Sequence, residues 1–512
     1  MGWCVVVEAL PDVFEGWFLG FYEFDRVWDP GDAVAPDLRG VAERARANGA
    51  REGTPFLLAP SGRADPVVNA FWRAPPVRRL SAETKRRYAF SLKVWLTFLH
   101  RIEVEWGQVT PGELAVFKEW RLSAEDNPEH VAPGSFRVDL AAIRRFYVWA
   151  AERAAVQNPV RLRAVGAAAS RDGSLVLEAS PAGVRRADVK WLTPEAFRLW
   201  RNIGLRGFTM DGVPAPAWRG RTEDRDVAYA EGLFGTGLRM AEWASVLTIE
   251  LPDAAHRGLF RGWLASACAK GSAGRRFWMR QRVIGLTRFY LEEGSRRAAV
   301  ARAQREGRYE ELRDRWLLRR VHPDGRLDVV TPTGESMTVA LDTLAPRLRM
   351  RLFKQGAGGL EPVWLWLNHD GLPRPKQAWH KTFDRANQRV ERTMPGAGAA
   401  SALWCRPHML RHSFALRWFC IAKFVAWQRT GLLTERERRD FRDQLGDVWF
   451  LMATLLGHSS PQTTRDVYLE PFQALDVEHL LALMDTDDRA ALERLVDVVA
   501  SDQPRVLTGV GV

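Results

Sequence analysis

The sequence predicts a mainly α-helical protein with a small β-sheet in its second domain, so that a helical domain precedes a mixed α+β domain. Apolar residues recur at helical spacing between positions 80 and 153. A strand-like stretch at 258–264 leads into a basic, glycine-bearing turn at 270–276. Helical patterns dominate again from Pro407 to about Leu483. Together these observations predict at least two domains of different class in a chain of 512 residues.

The composition indicates packed domains and a polyanionic partner. Hydrophobic residues make up 46% of the chain, which excludes wholesale disorder. Lys and Arg number 74 against 62 acidic residues, and the resulting net charge of +12 favours nucleic acid as a partner. The preference for Arg over Lys is typical of a GC-rich genome and is not by itself a sign of DNA binding.

The cysteines, the N-terminal stretch and the length of the uncharged runs predict the redox state and the compartment of the protein. The four cysteines form no Cys-x-x-Cys pair, which predicts neither a zinc site nor a disulfide framework. The apolar N-terminal stretch breaks at Glu8 and lacks a basic region before it, so no signal peptide is predicted. No uncharged run reaches the roughly 18 residues of a membrane span. We therefore expect a cytoplasmic protein, associated with the nucleoid when it acts and without a membrane partner.

The first domain is predicted to contain three helices, which begin after Ser81, after Thr110 and at about Pro133. Their apolar faces are predicted to form its core. These core positions are Tyr88, Leu92, Trp95, Leu96, Leu99, Leu114, Phe117, Trp120, Phe136, Leu140, Ile143, Phe146, Tyr147 and Ala150. The other face of the third helix carries Arg137, Arg144 and Arg145. We interpret these arginines as DNA contacts, although a solvated helix face has the same pattern.

The second domain is predicted to start at Leu192-Thr193-Pro194. Its predicted elements are helices over 194–203 and 224–247, a strand over 258–264, an exposed helix over 291–317, a hairpin at Asp324-Gly325, and helices from Pro407 onward. The hairpin segment 318–342 and the charged stretch 430–445 are predicted insertions.

A first candidate site motif lies in the helical stretch around Arg239. This residue follows a Gly-Thr-Gly turn, and Glu242 comes three residues later, within reach of the guanidinium. An arginine braced by a carboxylate can hold a nonbridging phosphate oxygen. Taken alone, the motif is more often an ordinary ion pair on a helix surface.

A second group of candidate residues lies near the C-terminus. His408, Arg411 and His412 follow one another at i, i+3 and i+4, which places them on one face of a helix. His458 follows a glycine that is predicted to end another helix. Tyr468 is the last of seven tyrosines and falls on a helix that begins near Pro461. Each of these features is common by itself, and a tyrosine on a helix is usually a core aromatic residue.

In combination the motifs resemble one family. Thr-Gly-Leu-Arg-x-x-Glu (236–242), His-x-x-Arg-His (408–412), Leu-Gly-His-Ser-Ser (456–460) and Thr-Thr-x-x-x-Tyr (463–468) occur in this order. The pattern resembles the tyrosine recombinase, or phage integrase, family and extends over roughly residues 80–485. The resemblance implies a helical core-binding domain and a mixed α+β catalytic domain.

The resemblance also implies roles for individual residues. The implied catalytic residues are Arg239, Lys270, His408, Arg411, His458 and Tyr468. The two arginines would bind the scissile phosphate, the two histidines would complete the cage, Lys270 would protonate the leaving 5′-oxygen, and Tyr468 would attack. Supporting roles fall to Glu242 and His412, and the basic turn adds Arg275 and Arg276 as expected DNA contacts. No metal or other cofactor is expected.

The implied domain order begins with an N-terminal extension without an assigned role. The domains are 1–78 (extension), 79–158 (core-binding domain), 159–190 (linker), 191–485 (catalytic domain) and 486–512 (C-terminal tail). Expected partners are double-stranded DNA, further copies of the chain as a dimer on one site and a tetramer in synapsis, and accessory DNA-bending proteins.

The implied function is site-specific recombination through a 3′-phosphotyrosine and a Holliday junction. Two alternatives remain open at this point. One is an inactive DNA-binding protein of the same fold, and the other is a related type IB topoisomerase or hairpin resolvase.

Overall fold

The computed structural model divides the chain into two compact units, residues 1–186 and 187–512. The residues it describes are 15–24, 41–125, 127, 130–164, 175–181, 190–256, 259–395, 403–430, 448–457 and 506–508. Their helices and small sheets confirm the predicted fold class, a helical domain with a mixed α+β domain after it. No helix within these ranges combines the length and the apolar character needed to span a membrane.

The first unit is helical, with two small antiparallel sheets. Its helices are α1 (Val41–Ala47), α2 (Pro66–Phe71), α3 (Pro75–Arg78), α4 (Ala82–Arg101), α5 (Pro111–Leu122) and α6 (Pro133–Ala154). Its strands pair as β1 (Phe18–Phe21) with β2 (Pro55–Leu58) and as β3 (Leu162–Ala164) with β4 (Leu175–Leu177). Helices α4 and α5 begin after the predicted caps: Ser81 accepts the amide of Thr84, and Thr110 forms a capping box with Glu113.

The core of the first unit confirms the predicted apolar faces of α4, α5 and α6. Trp95, Phe117 and Phe146 are fully buried, and Tyr88 and Trp120 pack against the same core at its edge. The segment before residue 79, for which the sequence predicts no fold, also contributes to this core. Its buried members in this core are Trp17, Leu57, Val68, Phe71, Trp72, Ala74 and Val77.

The second unit contains the mixed α+β architecture. Its helices are α7 (Pro194–Trp200, continued by a π-turn at Arg201–Leu205), α8 (Glu223–Thr236), α9 (Met240–Ala244), α10 (Gln281–Glu292), α11 (Ser295–Arg305), α12 (Pro346–Arg349), α13 (Ala378–Thr393), α14 (Pro407–Thr430) and α15 (Val448–Leu456). Its strands are β5 (Lys190–Leu192), β6 (Ala255–His256), β7 (Leu259–Leu264), β8 (Arg275–Arg280), β9 (Trp316–Val321), β10 (Arg326–Val330), β11 (Ser336–Ala340), β12 (Leu352–Gly356), β13 (Gly359–Pro362) and β14 (Val506–Thr508).

These strands form three sheets. A three-stranded sheet has the order β6-β7-β8, and a five-stranded sheet has the order β11-β10-β9-β12-β13. The predicted hairpin insertion is therefore the outer part of a larger sheet, since β9 also pairs in parallel with β12. Strand β14, from the predicted C-terminal tail, pairs antiparallel with β5.

Two predicted helices of the second unit are wrong in extent. The predicted helix 224–247 is broken because Gly237 adopts a left-handed backbone with φ 67° and ends α8. The predicted helix 291–317 contains the end of α10, all of α11 and the start of β9. Charge alternation alone does not distinguish a long exposed helix from a short helix followed by a turn.

The core of the second unit holds α8 rigidly against its neighbours. The ring of Tyr229 on α8 stacks on Trp379 at 3.4 Å between centroids, and Trp366 packs edge-on against the same indole. At the C-terminal end of α8, Gly237 lies against the ring of Phe414 on α14. The loop after α8 is therefore fixed against the first turns of α14.

Gly237→Ala is expected to destabilise the second unit, whereas the matched change Gly285→Ala is expected to stabilise it. A Cβ at position 237 would lie 2.3 Å from a ring carbon of Phe414 on a left-handed backbone, at a cost of about 1–2 kcal/mol or more. A Cβ at position 285, inside α10, meets no atom within 4 Å and gains about 0.5–1 kcal/mol of helix stability. Urea unfolding of both variants measures this, and equal shifts would contradict the packing described.

Candidate active site

The site begins at the loop between α8 and α9, which presents Arg239. This residue precedes α9, and its backbone amide donates to Oε2 of Glu242 at 2.9 Å. Its side-chain Nη1 donates to Oε1 of the same carboxylate at 2.9 Å. The structure thus brings together the two residues that the first motif predicts as a braced pair.

The carboxylate of Glu242 is the centre of a larger cluster. Its side chain is 2% exposed and receives Nη1 and Nη2 of Arg275 at 3.2 and 2.6 Å, and the amide of Lys270 at 3.4 Å. Burial raises the pKa of Glu242, but the hydrogen bonds and charges of Arg275 and Arg239 outweigh it and hold that pKa at about 2. Glu242 is therefore an anion at neutral pH.

Arg411 joins two other segments at the same place. Its side chain is fully buried on α14, where Nη1 donates to the carbonyl of Gly237 and Nη2 donates to the carbonyl of Leu456 at 2.6 Å. The guanidinium therefore links the end of α8 with the end of α15. Each of these carbonyls lies at a helix C-terminus, where the helix dipole favours a positive charge.

His408 lies beside these cations at the start of α14. Desolvation and the positive charges of Arg411, Arg239 and Lys270 lower the pKa of His408 to about 4. Desolvation is the largest cause of this shift, and the charges of Arg411, Arg239 and Lys270 lower the pKa further. The ring of His412, which is buried, lies edge-on to that of His408 at 4.5 Å between centroids.

The remaining residues of the predicted site belong to the motifs at 456–460 and 463–468. His458 and Tyr468 lie outside the described residues, as do Thr463 and Thr464. Gly457, directly before His458, is described and has a left-handed backbone with φ 66°. It lies against Arg275, since a Cβ on Gly457 would be 2.6 Å from Nε of that arginine.

The expected DNA contacts are not equivalent in the structure. Arg137 and Arg144 are exposed on α6, Arg145 is half-buried there, and Arg276 is exposed on β8. Arg275 differs from them because its side chain is only 10% exposed and is paired with Glu242. The sequence of β8 indicates that Arg275 points inward. Alternate residues of a strand share one face, and Arg275 lies on the same face as Phe277 and Met279, which are buried.

Comparison with known families locates one domain. Residues 69–154 match the family described as the phage integrase, N-terminal SAM-like domain. This part of the chain is similar to the N-terminal domain of the phage integrases. The match covers α3, α4, α5 and α6, the helical domain that the sequence predicts, and it agrees with the tyrosine recombinase motifs found in the second unit. No curated protein matches the chain.

Alignments with solved recombinase structures extend over most of this chain. XerH recombinase in a post-cleavage complex with palindromic difH substrate is 14% identical, with a TM-score of 0.43, covering 82% of this chain and 85% of that chain. XerH in a pre-cleavage complex is 12% identical, with a TM-score of 0.39 over 80% and 82%. XerA recombinase is 13% identical, with a TM-score of 0.27 over 84% and 97%.

The free protein is expected to keep His408 neutral well below pH 7. A pKa of about 4 leaves the imidazole uncharged at pH 5, and Lys270→Gln should raise that pKa because it removes one of the three neighbouring charges. NMR titration of the His408 ring in the wild type and the variant measures both effects. A wild-type midpoint near the ordinary value of 6.5 would show that these cations do not surround His408.

Proposed function

We propose that this protein is a site-specific DNA recombinase, an integrase that cleaves and rejoins DNA strands through a 3′-phosphotyrosine and a Holliday junction. Double-stranded DNA is its substrate. Further copies of the chain act as a dimer on each site and a tetramer in synapsis, with accessory DNA-bending proteins as additional partners.

One observation carries this proposal. Arg239, Lys270, His408 and Arg411, which come from three separate parts of the sequence, meet closely enough that the other three charges lower the pKa of His408. Such a concentration of positive charge is unfavourable for the free protein and favourable once an anion binds. A phosphodiester supplies that anion, and in the transition state the charge is spread over phosphate oxygens that fixed cations can stabilise.

The proposed chemistry uses only groups of this chain. The phenol of Tyr468 gives its proton to a neighbouring base as its oxygen attacks phosphorus, the new Tyr–O–P bond forms, and the bond from phosphorus to the 5′-oxygen breaks. Lys270 gives a proton to the leaving 5′-oxygen, while Arg239 and Arg411 offset the charge on the nonbridging oxygens. Attack by a 5′-hydroxyl on the phosphotyrosine reverses these bond changes, so strand joining needs no external energy source.

His408 is suited to a phosphate contact. It is neutral in the free protein, and the charge of a bound phosphodiester raises its pKa, so it can donate a hydrogen bond to a phosphate oxygen in either protonation state. His458 is the second histidine of the proposed cage. His412, buried behind the ring of His408, limits the positions that His408 can adopt.

The test is covalent capture on DNA. Nicked duplexes tiled across the DNA that flanks the gene trap a covalent complex, because the short strand beyond the cut diffuses away. The wild type is expected to form an adduct that survives SDS. Tyr468→Phe should form none, since the nucleophilic oxygen is missing, whereas the control Tyr88→Phe in the first unit should react as the wild type does.

The outcomes separate the alternatives. DNA binding without any adduct would favour the inactive DNA-binding protein. An adduct that persists in Tyr468→Phe would show that another residue is the nucleophile. Relaxation of supercoiled DNA without exchange between two sites would favour the topoisomerase.

A further inference from the structure

We propose that Arg275 is a positioning residue of the active site, which orients Arg239 and holds the turn before His458, and that it does not contact DNA. This inference rests on the proposed recombinase function. It gives Arg275 a role different from that of its neighbour Arg276, although both belong to the same basic turn and strand.

Arg239 and Arg275 both donate hydrogen bonds to the carboxylate of Glu242, but in different ways. Arg275 binds both oxygens of Glu242 through Nη1 and Nη2, whereas Arg239 binds it through Nη1 and its backbone amide. Because Arg275 takes the bidentate position, Arg239 cannot form the same fork with Glu242. Within the residues that the structure describes, Arg239 donates only through Nη1 and its backbone amide, so Nη2 and Nε can reach a phosphate oxygen, and this side chain keeps 21% of its surface exposed.

Arg275 also sets the charge of the cluster. Arg239 and Arg275 with Glu242 carry a net charge of +1, whereas Arg239 with Glu242 alone would be neutral. Glu242 and Arg275 are 2% and 10% exposed, so solvent and salt screen this charge less than they screen a surface pair. Arg275 thus keeps the site positive where the phosphate is proposed to bind.

Arg275 also contacts the turn that leads to His458. A Cβ on Gly457 would lie 2.5, 2.6 and 2.7 Å from Cδ, Nε and Cζ of Arg275, so only a glycine lets the turn approach this side chain so closely. Arg411 holds the carbonyl of Leu456 in the same turn. Two arginines therefore fix the backbone directly before His458, one on α14 and one on β8.

Arg276 provides a matched control. It follows Arg275 on β8 and points to the other face of the strand, where it pairs in register with Trp263, a residue with half of its surface exposed. Arg276 is itself exposed. Replacing either arginine removes one positive charge from the same strand, so a general loss of charge would affect both variants alike.

The experiment compares Arg275→Gln with Arg276→Gln on the full chain. DNA affinity is measured by fluorescence anisotropy at several salt concentrations on the duplex that traps the adduct, and the cleavage rate is measured in single turnover at saturating DNA. Arg275→Gln is expected to lower the saturating cleavage rate on the order of 100-fold and to leave the salt dependence of binding unchanged. Arg276→Gln is expected to reduce the salt slope by about one and to lower the saturating rate far less than Arg275→Gln does.

The variant Arg275→Lys is the control for a loss of activity caused by misfolding. Lysine keeps the charge but cannot chelate both oxygens of Glu242, so its rate should fall between those of the wild type and Arg275→Gln, while thermal unfolding shows that it is folded. The inference is overturned if Arg275→Gln or Arg275→Lys reduces the salt slope as Arg276→Gln does, or if either folded variant cleaves at the wild-type rate. If the wild type forms no adduct, the proposed function fails, and the salt dependence of binding to any duplex that the wild type binds still decides whether Arg275 contacts DNA.

Discussion

Two arginines share one buried carboxylate in the second unit, and the candidate active site is organised around that sharing. Glu242 receives hydrogen bonds from Arg239, Arg275 and the backbone of Lys270, which lie in the loop after α8, on β8 and in the turn between β7 and β8. An ionised carboxylate is costly to bury without partners. With these partners the pKa of Glu242 is held at about 2, so the fold gains a fixed negative charge where three basic segments meet.

The rest of the second unit supplies the constraints that keep this cluster in place. Gly237 ends α8 and allows Phe414 to pack against the loop that carries Arg239. Arg411 then joins the carbonyl of Gly237 to that of Leu456, across 174 and 45 residues of sequence. Long-range bonds of this kind make the position of one site residue depend on the packing of several elements.

The sequence predicts much of this arrangement, and its failures have physical causes. The apolar faces of α4, α5 and α6 follow from periodicity, because burial of one helix face is a local property of the pattern. Glu242 is predicted beside Arg239 because the two lie one helical turn apart. The break at Gly237 has a local signal in the glycine itself, whereas the packing of Gly237 against Phe414 and the partner of Arg275 depend on residues distant in sequence. For Arg275, the alternation with Phe277 and Met279 indicates an inward side chain, but nothing in it identifies Glu242 as the partner.

The most direct test of this account is Glu242→Gln, measured by DNA affinity and by the rate of strand cleavage at saturating DNA. Glutamine preserves the size of the side chain but removes the charge that holds Arg239 and Arg275 together. We predict that cleavage falls on the order of 100-fold while DNA affinity is retained or increased, because the protein gains one unit of positive charge. Cleavage at the wild-type rate by folded Glu242→Gln would contradict the central role of this carboxylate.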